Sequence, residues 1–472
     1  MSSLPPLLAC PADIFPLFLQ QLSSPDLYSL CLVCKTLRTL AEPNLYSHIR
    51  LIWLDPEDAS TPQISPIIPL LRSILSRPEL AAHVQYLDLG GQPVVRWTGR
   101  RSAIPVADAD LAELITFIEG FQDKIDYASL WITELCNGSI DPFVALLLSV
   151  LSNLKQLHIT THFAEETRII GKVLRSALCD TATGDRWLPT FGDIQEVSFR
   201  MDMNLSRPME MRNTEDLLPL FYLPSVRKMS VCIENPTVFV WPLNQRPTAS
   251  LLASLELKGT SIREDHLGEL LSATPNLRRL HWDWFYHPER PEKFGGRVID
   301  LHKVAAAIGH VRDTLEEFAI FASVSYHGLD FPILSTRGSL SPIAEYEALR
   351  TFEAPVPFLI GFTKAGAWPL ERSLPKNLEV LTISDDLYLV EEYEWSDTGA
   401  IMLLEAIISW LRNYTAYTPQ FQTLRLELRV IDEEWGPKMR RQLADVCAVA
   451  GLGLVINKIE KDLYSLSNPA SY

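Results

Sequence analysis

Cysteine is scarce here and does not pair up. There are seven, at positions 10, 31, 34, 136, 179, 232 and 447, an odd number scattered along 472 residues. No disulfide framework fits that spacing, and reduced thiols in the cytosol or nucleus are expected. Cys31 and Cys34 form a C-x-x-C with no second pair to complete a zinc site, and their spacing suits packing along one helix face. Long apolar runs are missing too. With no stretch of about eighteen apolar residues, no membrane span is expected. The apolar opening MSSLPPLLACPADIFPLFL has no basic segment and is broken by Pro and Asp, so it does not read as a signal peptide. H-E-x-x-H, P-loop and G-x-S-x-G motifs are absent. Gly451-Leu-Gly453 lacks a third glycine and follows a helical pattern, not a strand, so it is no dinucleotide fingerprint. Basic charge is short as well: 42 Lys and Arg face 58 Asp and Glu, a formal net charge of −16. The first 52 residues are neutral, with Asp13, Asp26 and Glu42 against Lys35, Arg38 and Arg50, so the whole excess lies downstream. That argues against general nucleic-acid binding and mildly favours basic partners.

What the chain does have is core-forming material. It is 47% hydrophobic and 21% charged, which disfavours disorder and leaves room for several domains or one extended repeat array. Its most organised stretch is residues 10–51. Ile14, Phe18 and Leu22 recur at spacings of four with Leu19 beside them, one apolar stripe of a helix. Ser23-Ser24-Pro25-Asp26 is a helix start: Ser24 can cap, Pro25 suits the first helical position, and Asp26 suits the first turn. Leu27, Leu30, Cys31, Cys34, Leu37, Leu40 and Ala41 then step by three or four until Pro43, which is expected to end the helix. Some forty residues cannot bury all that surface alone, so part of it must pack on something else. A helical hairpin that merely caps a larger domain is the simpler alternative.

The same stretch resembles an F-box. Pro11, Asp13, Ile14, Phe18-Leu19, Leu22, Asp26-Leu27 and Val33-Cys34-Lys35 match its consensus without a gap, and Asn44-Leu45-Tyr46 and Ile49-Arg50-Leu51 match its tail. Cys10 stands where Leu is usual, Leu37 where an aromatic is common, and Pro16 falls inside the first helix. Pro16 is tolerable if Asp13 is the cap, since the third helical N–H has no intrahelical partner. The resemblance implies docking on the small Skp adaptor, and through it on a cullin, by Pro11, Ile14, Phe18, Leu19, Leu22, Leu27, Leu30, Val33, Cys34 and Leu37. A charge at an interface position, such as Leu27→Asp, should then abolish adaptor capture.

Beyond the prolines at 56, 62, 66 and 69 and an amphipathic segment around Leu70, Leu71, Ile74 and Leu75, one phrase recurs: apolar, two variable residues, apolar, one variable, apolar. Its ten copies begin at Val84, Leu154, Ile194, Val226, Leu252, Leu277, Leu315, Leu349, Leu378 and Phe421. A weaker copy lies at Leu130-Trp131-Ile132, and Leu452, Leu454 and Ile456 should close the array. Alternation at the end of the phrase places two side chains on one face of a short strand. Amphipathic helical stretches lie between copies, at 165–178, 265–271, 302–315, 401–411 and 438–449. Strand alternating with helix implies parallel strands, each unit burying its face against its neighbours. A doubly wound sheet has the same alternation, but repetition of one phrase favours a solenoid. Residues 250–284 in particular resemble the divergent leucine-rich repeats that follow the F-box in many fungal proteins. The expected fold is α/β, an N-terminal helical F-box followed by an irregular leucine-rich-repeat solenoid with parallel strands on the concave face and helices outside. The expected divisions are residues 1–52, a linker or capping segment 53–79, and the repeats 80–472.

Catalytic chemistry finds no positive support, and neither a cofactor nor a metal is expected. His158 and His162 bracket a strand end and do not share a helical face. Glu391, Glu392 and Glu394 read as a solvated loop. Two aromatic loops are candidate target-binding surfaces: Trp284, Phe285 and Tyr286, with Trp284 or Phe285 expected at the rim, and Tyr388, Tyr393 and Trp395. Insertions near 201–224 and 321–347 are further candidates. The expected function is the substrate-recognition subunit of a Skp–cullin–F-box ubiquitin ligase, non-catalytic and located in cytoplasm or nucleus. It would bind a protein target through its repeats, without nucleic acid or membrane. A scaffold acting outside a ligase and a plain repeat-based binding module are the alternatives.

Overall fold

The structure is a computed structural model. It describes residues 14–53, 65–91, 104–160, 163, 167–180, 187–199, 213–233, 236, 238–260, 262–286, 297–324, 334–361, 367–387, 399–429 and 435–458. The chain divides into two compact units, Met1–Arg200 with Leu223–Val226 and Met201–Tyr222 with Arg227–Tyr472.

The first unit opens with three helices, α1 (Phe15–Leu19), α2 (Ser24–Val33) and α3 (Lys35–Ser47). Phe15, Leu19, Leu27, Leu37 and Ala41 form their core, with Leu22, Leu30, Cys31 and Leu45 partly buried around it. Several details correct the sequence-based expectations. The cap position of α1 is Ile14, not Asp13, and Pro16 is harmless because it lies in the first turn. The cap of α2 is Ser23, one residue early, its hydroxyl accepting the Asp26 N–H. Nor does one helix run on to Pro43. Cys34 is extended, with φ −160° and ψ 165°, and separates α2 from α3. Its Sγ accepts the Leu37 N–H at 3.5 Å, so Cys34 caps α3 while Cys31 packs on the core, and the two do not share a helix face. Pro43 lies inside α3. It removes the bond its N–H would give to the Thr39 carbonyl, yet the helix continues because Ala41 and Leu45 pack into the core on either side.

Helix α3 runs without a linker into β1 (His48–Trp53), a strand that the F-box tail match had masked. β1 pairs in parallel with β2 (Tyr86–Gly91), β2 with β3 (Gln156–Ile159), and β3 with β4 (Glu196–Phe199). Between these strands run α4 (Ile67–Ser76), α5 (Asp108–Glu119), α6 (Ala128–Cys136), α7 (Asp141–Val150) and α8 (Arg168–Leu178). The weak phrase at Leu130-Trp131-Ile132 is not a strand but part of α6. There Trp131 is buried and its indole N–H donates to the Pro142 carbonyl at 3.0 Å. Asp141, 2% exposed, accepts the N–H groups of Ile169 and Ile170 at 2.6 and 3.0 Å, satisfying the start of α8.

In the second unit, strands β5 (Lys228–Val231), β6 (Ser254–Thr260) and β7 (Arg279–Tyr286) pair in parallel in chain order. A short parallel pair stands apart, β8 (Val298–Asp300) with β10 (Ser335–Arg337). The main ladder continues from β7 through β9 (Glu317–Val324), β11 (Thr351–Pro355), β12 (Val380–Ser384), β13 (Thr423–Leu428) and β14 (Gly453–Lys458). Helices α9 (Asn213–Leu217), α10 (Glu264–Leu271), α11 (Leu301–Ile308), α12 (Val356–Ile360), α13 (Gly399–Leu411), α14 (Tyr414–Tyr417) and α15 (Pro437–Ala450) complete the unit. The helix expected over 302–315 is shorter, ending at Ile308 and passing into a 3-10 turn at Gly309–Val311. Gly451, at φ +72°, ends α15 in the left-handed conformation, and the Leu452 N–H closes on the Cys447 carbonyl at 2.9 Å.

All ten phrases form strands, and within each unit strand order follows chain order. The reversal of order that marks a doubly wound sheet is not seen among the described strands of either unit. One bond pattern repeats. The carbonyl of the second residue in a phrase accepts two N–H groups from the next copy: Gln85 from Lys155 and Gln156, Ala253 from Arg278 and Arg279, Glu316 from Arg350 and Thr351, Glu379 from Gln422 and Thr423. A side-chain pattern accompanies it. Asn153, Asn276 and Asn377 each directly precede a phrase. Each donates from Nδ2 to the carbonyl two residues before the preceding phrase, those of Ala82, Ser250 and Glu347, at 2.7, 2.8 and 2.8 Å. Among the described residues, no helix is long and apolar enough to cross a membrane.

Candidate docking site

The opening helices bury one apolar set and expose another. Inside lie Leu19, Leu27 and Leu37, with Leu22 and Leu30 partly covered. Outside lie Ile14, Leu17 and Phe18 on one face of α1, Tyr28, Leu32 and Val33 on α2, and Leu40 on α3. Leu32 is 70% and Val33 68% exposed, beside a core only a few residues away in sequence. Of the residues matched to the F-box, Ile14, Phe18, Val33 and Cys34 are therefore at the surface, Leu19, Leu27 and Leu37 belong to the interior, and Pro11 lies outside the described residues. Leu27, 5% exposed, is a core residue, so a charge there would test folding of the hairpin and not docking.

Sequence reading missed that Leu17, Tyr28, Leu32 and Leu40 are exposed. The signal was present in α2, whose sequence SPDLYSLCLV is apolar on both sides: Leu27, Leu30 and Cys31 turn inward, Tyr28, Leu32 and Val33 outward. A helix that is apolar all round has two packing surfaces to fill, and only one is filled within this chain's described residues.

An ion cluster fixes α3 to the segment ahead of β2. Arg77 donates from Nη1 and Nη2 to the two carboxylate oxygens of Glu42, at 2.7 and 2.8 Å, and from Nε to Glu79 at 2.9 Å. Arg38 adds a bond to Glu42 at 2.8 Å. Hydrogen bonds from Arg77, then Arg38, hold the Glu42 carboxyl down at about 2. The junction is tightened by the Gln85 N–H on the Ser47 carbonyl at 3.0 Å and by His48 stacked on Tyr86 at 4.0 Å.

The aromatic loop after β7 is not a loop. β7 continues to Tyr286 in register with β9 up to Val324. Trp284, Phe285 and Tyr286 are all buried, with Trp284 and Tyr286 stacked at 5.9 Å, so neither Trp284 nor Phe285 stands at a rim. Tyr388, Tyr393 and Trp395, the acids Glu391, Glu392 and Glu394, and His162 lie outside the described residues. His158 lies 3.6 Å from Glu196 on the neighbouring strand. Among the described residues no group of three or more His, Cys, Asp or Glu is placed to hold a metal ion.

Compared with protein-family models and with characterised proteins, the chain matches none.

Proposed function

We propose that the chain is the substrate-recognition subunit of a Skp–cullin–F-box ubiquitin ligase. The exposed faces of α1 and α2 dock on the Skp adaptor, and a leucine-rich-repeat solenoid, its strands on the concave face, holds a protein target. One observation carries the reading: α2 exposes Leu32 and Val33 while its other face is packed. Covering such a side chain with a partner stabilises the complex by about 1.5–3 kcal/mol each. The gap-free F-box match supports the choice of partner. Sequential parallel order, the repeated carbonyl pattern and the asparagine series support the solenoid. On this reading the chain performs no chemistry. It acts in cytosol or nucleus by raising the effective concentration of a target lysine near the conjugating enzyme, which other subunits supply.

Co-expression of the tagged chain with a Skp adaptor and a cullin tests the proposal. Recovery of both partners in one complex supports it. Recovery of the adaptor without the cullin selects a scaffold outside a ligase, and recovery of neither selects a plain binding module with a helical cap.

A further inference from the structure

Five Ser-Pro or Thr-Pro pairs lie among the described residues, with Ser24, Ser65, Thr274, Ser341 and Thr418 as their hydroxyl members. Ser65, Thr274 and Thr418 are fully buried. Ser341 is half-buried, its hydroxyl 2.9 Å from that of Ser339. Ser24 alone of the five is exposed, and its hydroxyl makes no hydrogen bond with a described residue. The capping bond from the Asp26 N–H goes to Ser23, one residue earlier, so Ser24 begins α2 with its side chain unused. Ser23 is extended, at φ −70° and ψ 157°, and Pro25 has no N–H to leave unpaired when the chain around Ser24 is drawn out straight. Straightening it gives up one backbone bond at a fraying helix end, the Leu27 N–H on the Ser23 carbonyl at 2.9 Å. Position matters as much as access. Ser24, Tyr28 and Leu32 follow at spacings of four, one stripe of α2, and all three are exposed. Ser24 therefore stands about 6 Å along the helix axis from Tyr28 and about 12 Å from Leu32.

We propose that Ser24 is the acceptor of a proline-directed protein kinase, and that its phosphorylation releases the partner from the exposed face of α2. The inference rests on that face being the adaptor-docking surface and supplies its regulation. In the modification step the Ser24 Oγ attacks the γ-phosphorus of Mg-ATP. The new O–P bond forms as the bond to the bridging oxygen of ADP breaks, the hydroxyl proton passes to the kinase's base, and ADP leaves. The product carries a charge of about −1.5 to −2 at pH 7. A partner covering the apolar stripe beside it has to strip water from that charge. The helix itself is not undone. Free N–H groups at its N-terminal end favour an anion, and the nearby Asp26 carboxylate is held on the Ser23 hydroxyl at 2.5 Å.

The test uses the full chain, a recombinant cyclin-dependent kinase as the proline-directed enzyme, Mg-ATP and a purified Skp adaptor. Peptide fragmentation by mass spectrometry should place a phosphate on Ser24, and Ser24→Ala should lose it. In calorimetric titration the phosphorylated chain should bind the adaptor about tenfold more weakly than the unmodified chain, or weaker still. Ser24→Ala should bind equally before and after kinase treatment, and phosphorylation of the wild-type chain should not lower its melting temperature. Failure to phosphorylate Ser24, or undiminished adaptor binding by the chain phosphorylated there, overturns the inference. A lowered melting temperature overturns it as well, because lost binding would then report unfolded helices. Absence of binding by the unmodified chain overturns the receptor reading and this inference together; it is read before any kinase is added, so the two failures are distinct.

Discussion

Asn276 donates from its side-chain amide to the Ser250 carbonyl at 2.8 Å, tying one repeat to the one before it. Asn377 does the same to Glu347. These bonds are largely solvent-exposed, so each should contribute about 0.5–1 kcal/mol. Asn276→Ala and Asn377→Ala should each lower stability by that amount in denaturant unfolding. The double variant should lose roughly the sum, because distant sites add.

Arg77 and Glu42 join α3 to the turn before β2, and their pairing predicts a specific pH dependence. Glu42 titrates near 2 in the folded chain against an ordinary value of 4.5. A depressed carboxyl stabilises fully above its unfolded value and loses that stability as pH falls toward the folded one. The difference in melting temperature between wild type and Arg77→Met should thus be constant from pH 7 to about 5, shrink below about 4.5, and vanish near pH 2. A difference that does not change across this range would show that Arg77 acts through packing alone.

Most of the ladder was legible because its phrase is local: Leu255-x-Leu257 and Leu381-x-Ile383 announce a strand by alternation wherever they occur. What escaped was non-local. β1 is visible only as a partner for β2, since Ile49-Arg50-Leu51 also matches the F-box tail. Leu130-Trp131-Ile132 alternates poorly and falls to helix because Trp131 finds a hydrogen-bond partner in Pro142 and a buried site. The asparagine bonds were missed because Asn153, Asn276 and Asn377 stand outside the phrase and each reaches a carbonyl far back in the chain, at Ala82, Ser250 and Glu347. At the candidate docking site, hydrophobic spacing identified which residues were apolar but not which side of α2 would find a core.

Leu27 and Leu32 lie five residues apart on one helix and should respond oppositely to charge. Leu27→Asp places a carboxylate in the closed core of α1–α3 and should cost about 3 kcal/mol or more. Leu32→Asp is solvated and should change stability by no more than about 0.5 kcal/mol. Thermal unfolding of the two variants distinguishes them before any partner is added.

Asp141 serves two backbone donors at the start of α8 from a buried position. Asp141→Ala leaves the Ile169 and Ile170 N–H groups without this acceptor and should cost about 2–4 kcal/mol. Amide exchange at those two residues should accelerate more than at β6, where the substitution has no local effect.

The most direct measurement of the receptor reading is calorimetric titration of a purified Skp adaptor into the wild-type chain and into the folded Leu32→Asp variant. The account predicts a one-to-one complex with wild type, weakened about tenfold to a hundredfold by the substitution. No binding by wild type, or undiminished binding by Leu32→Asp, would contradict it.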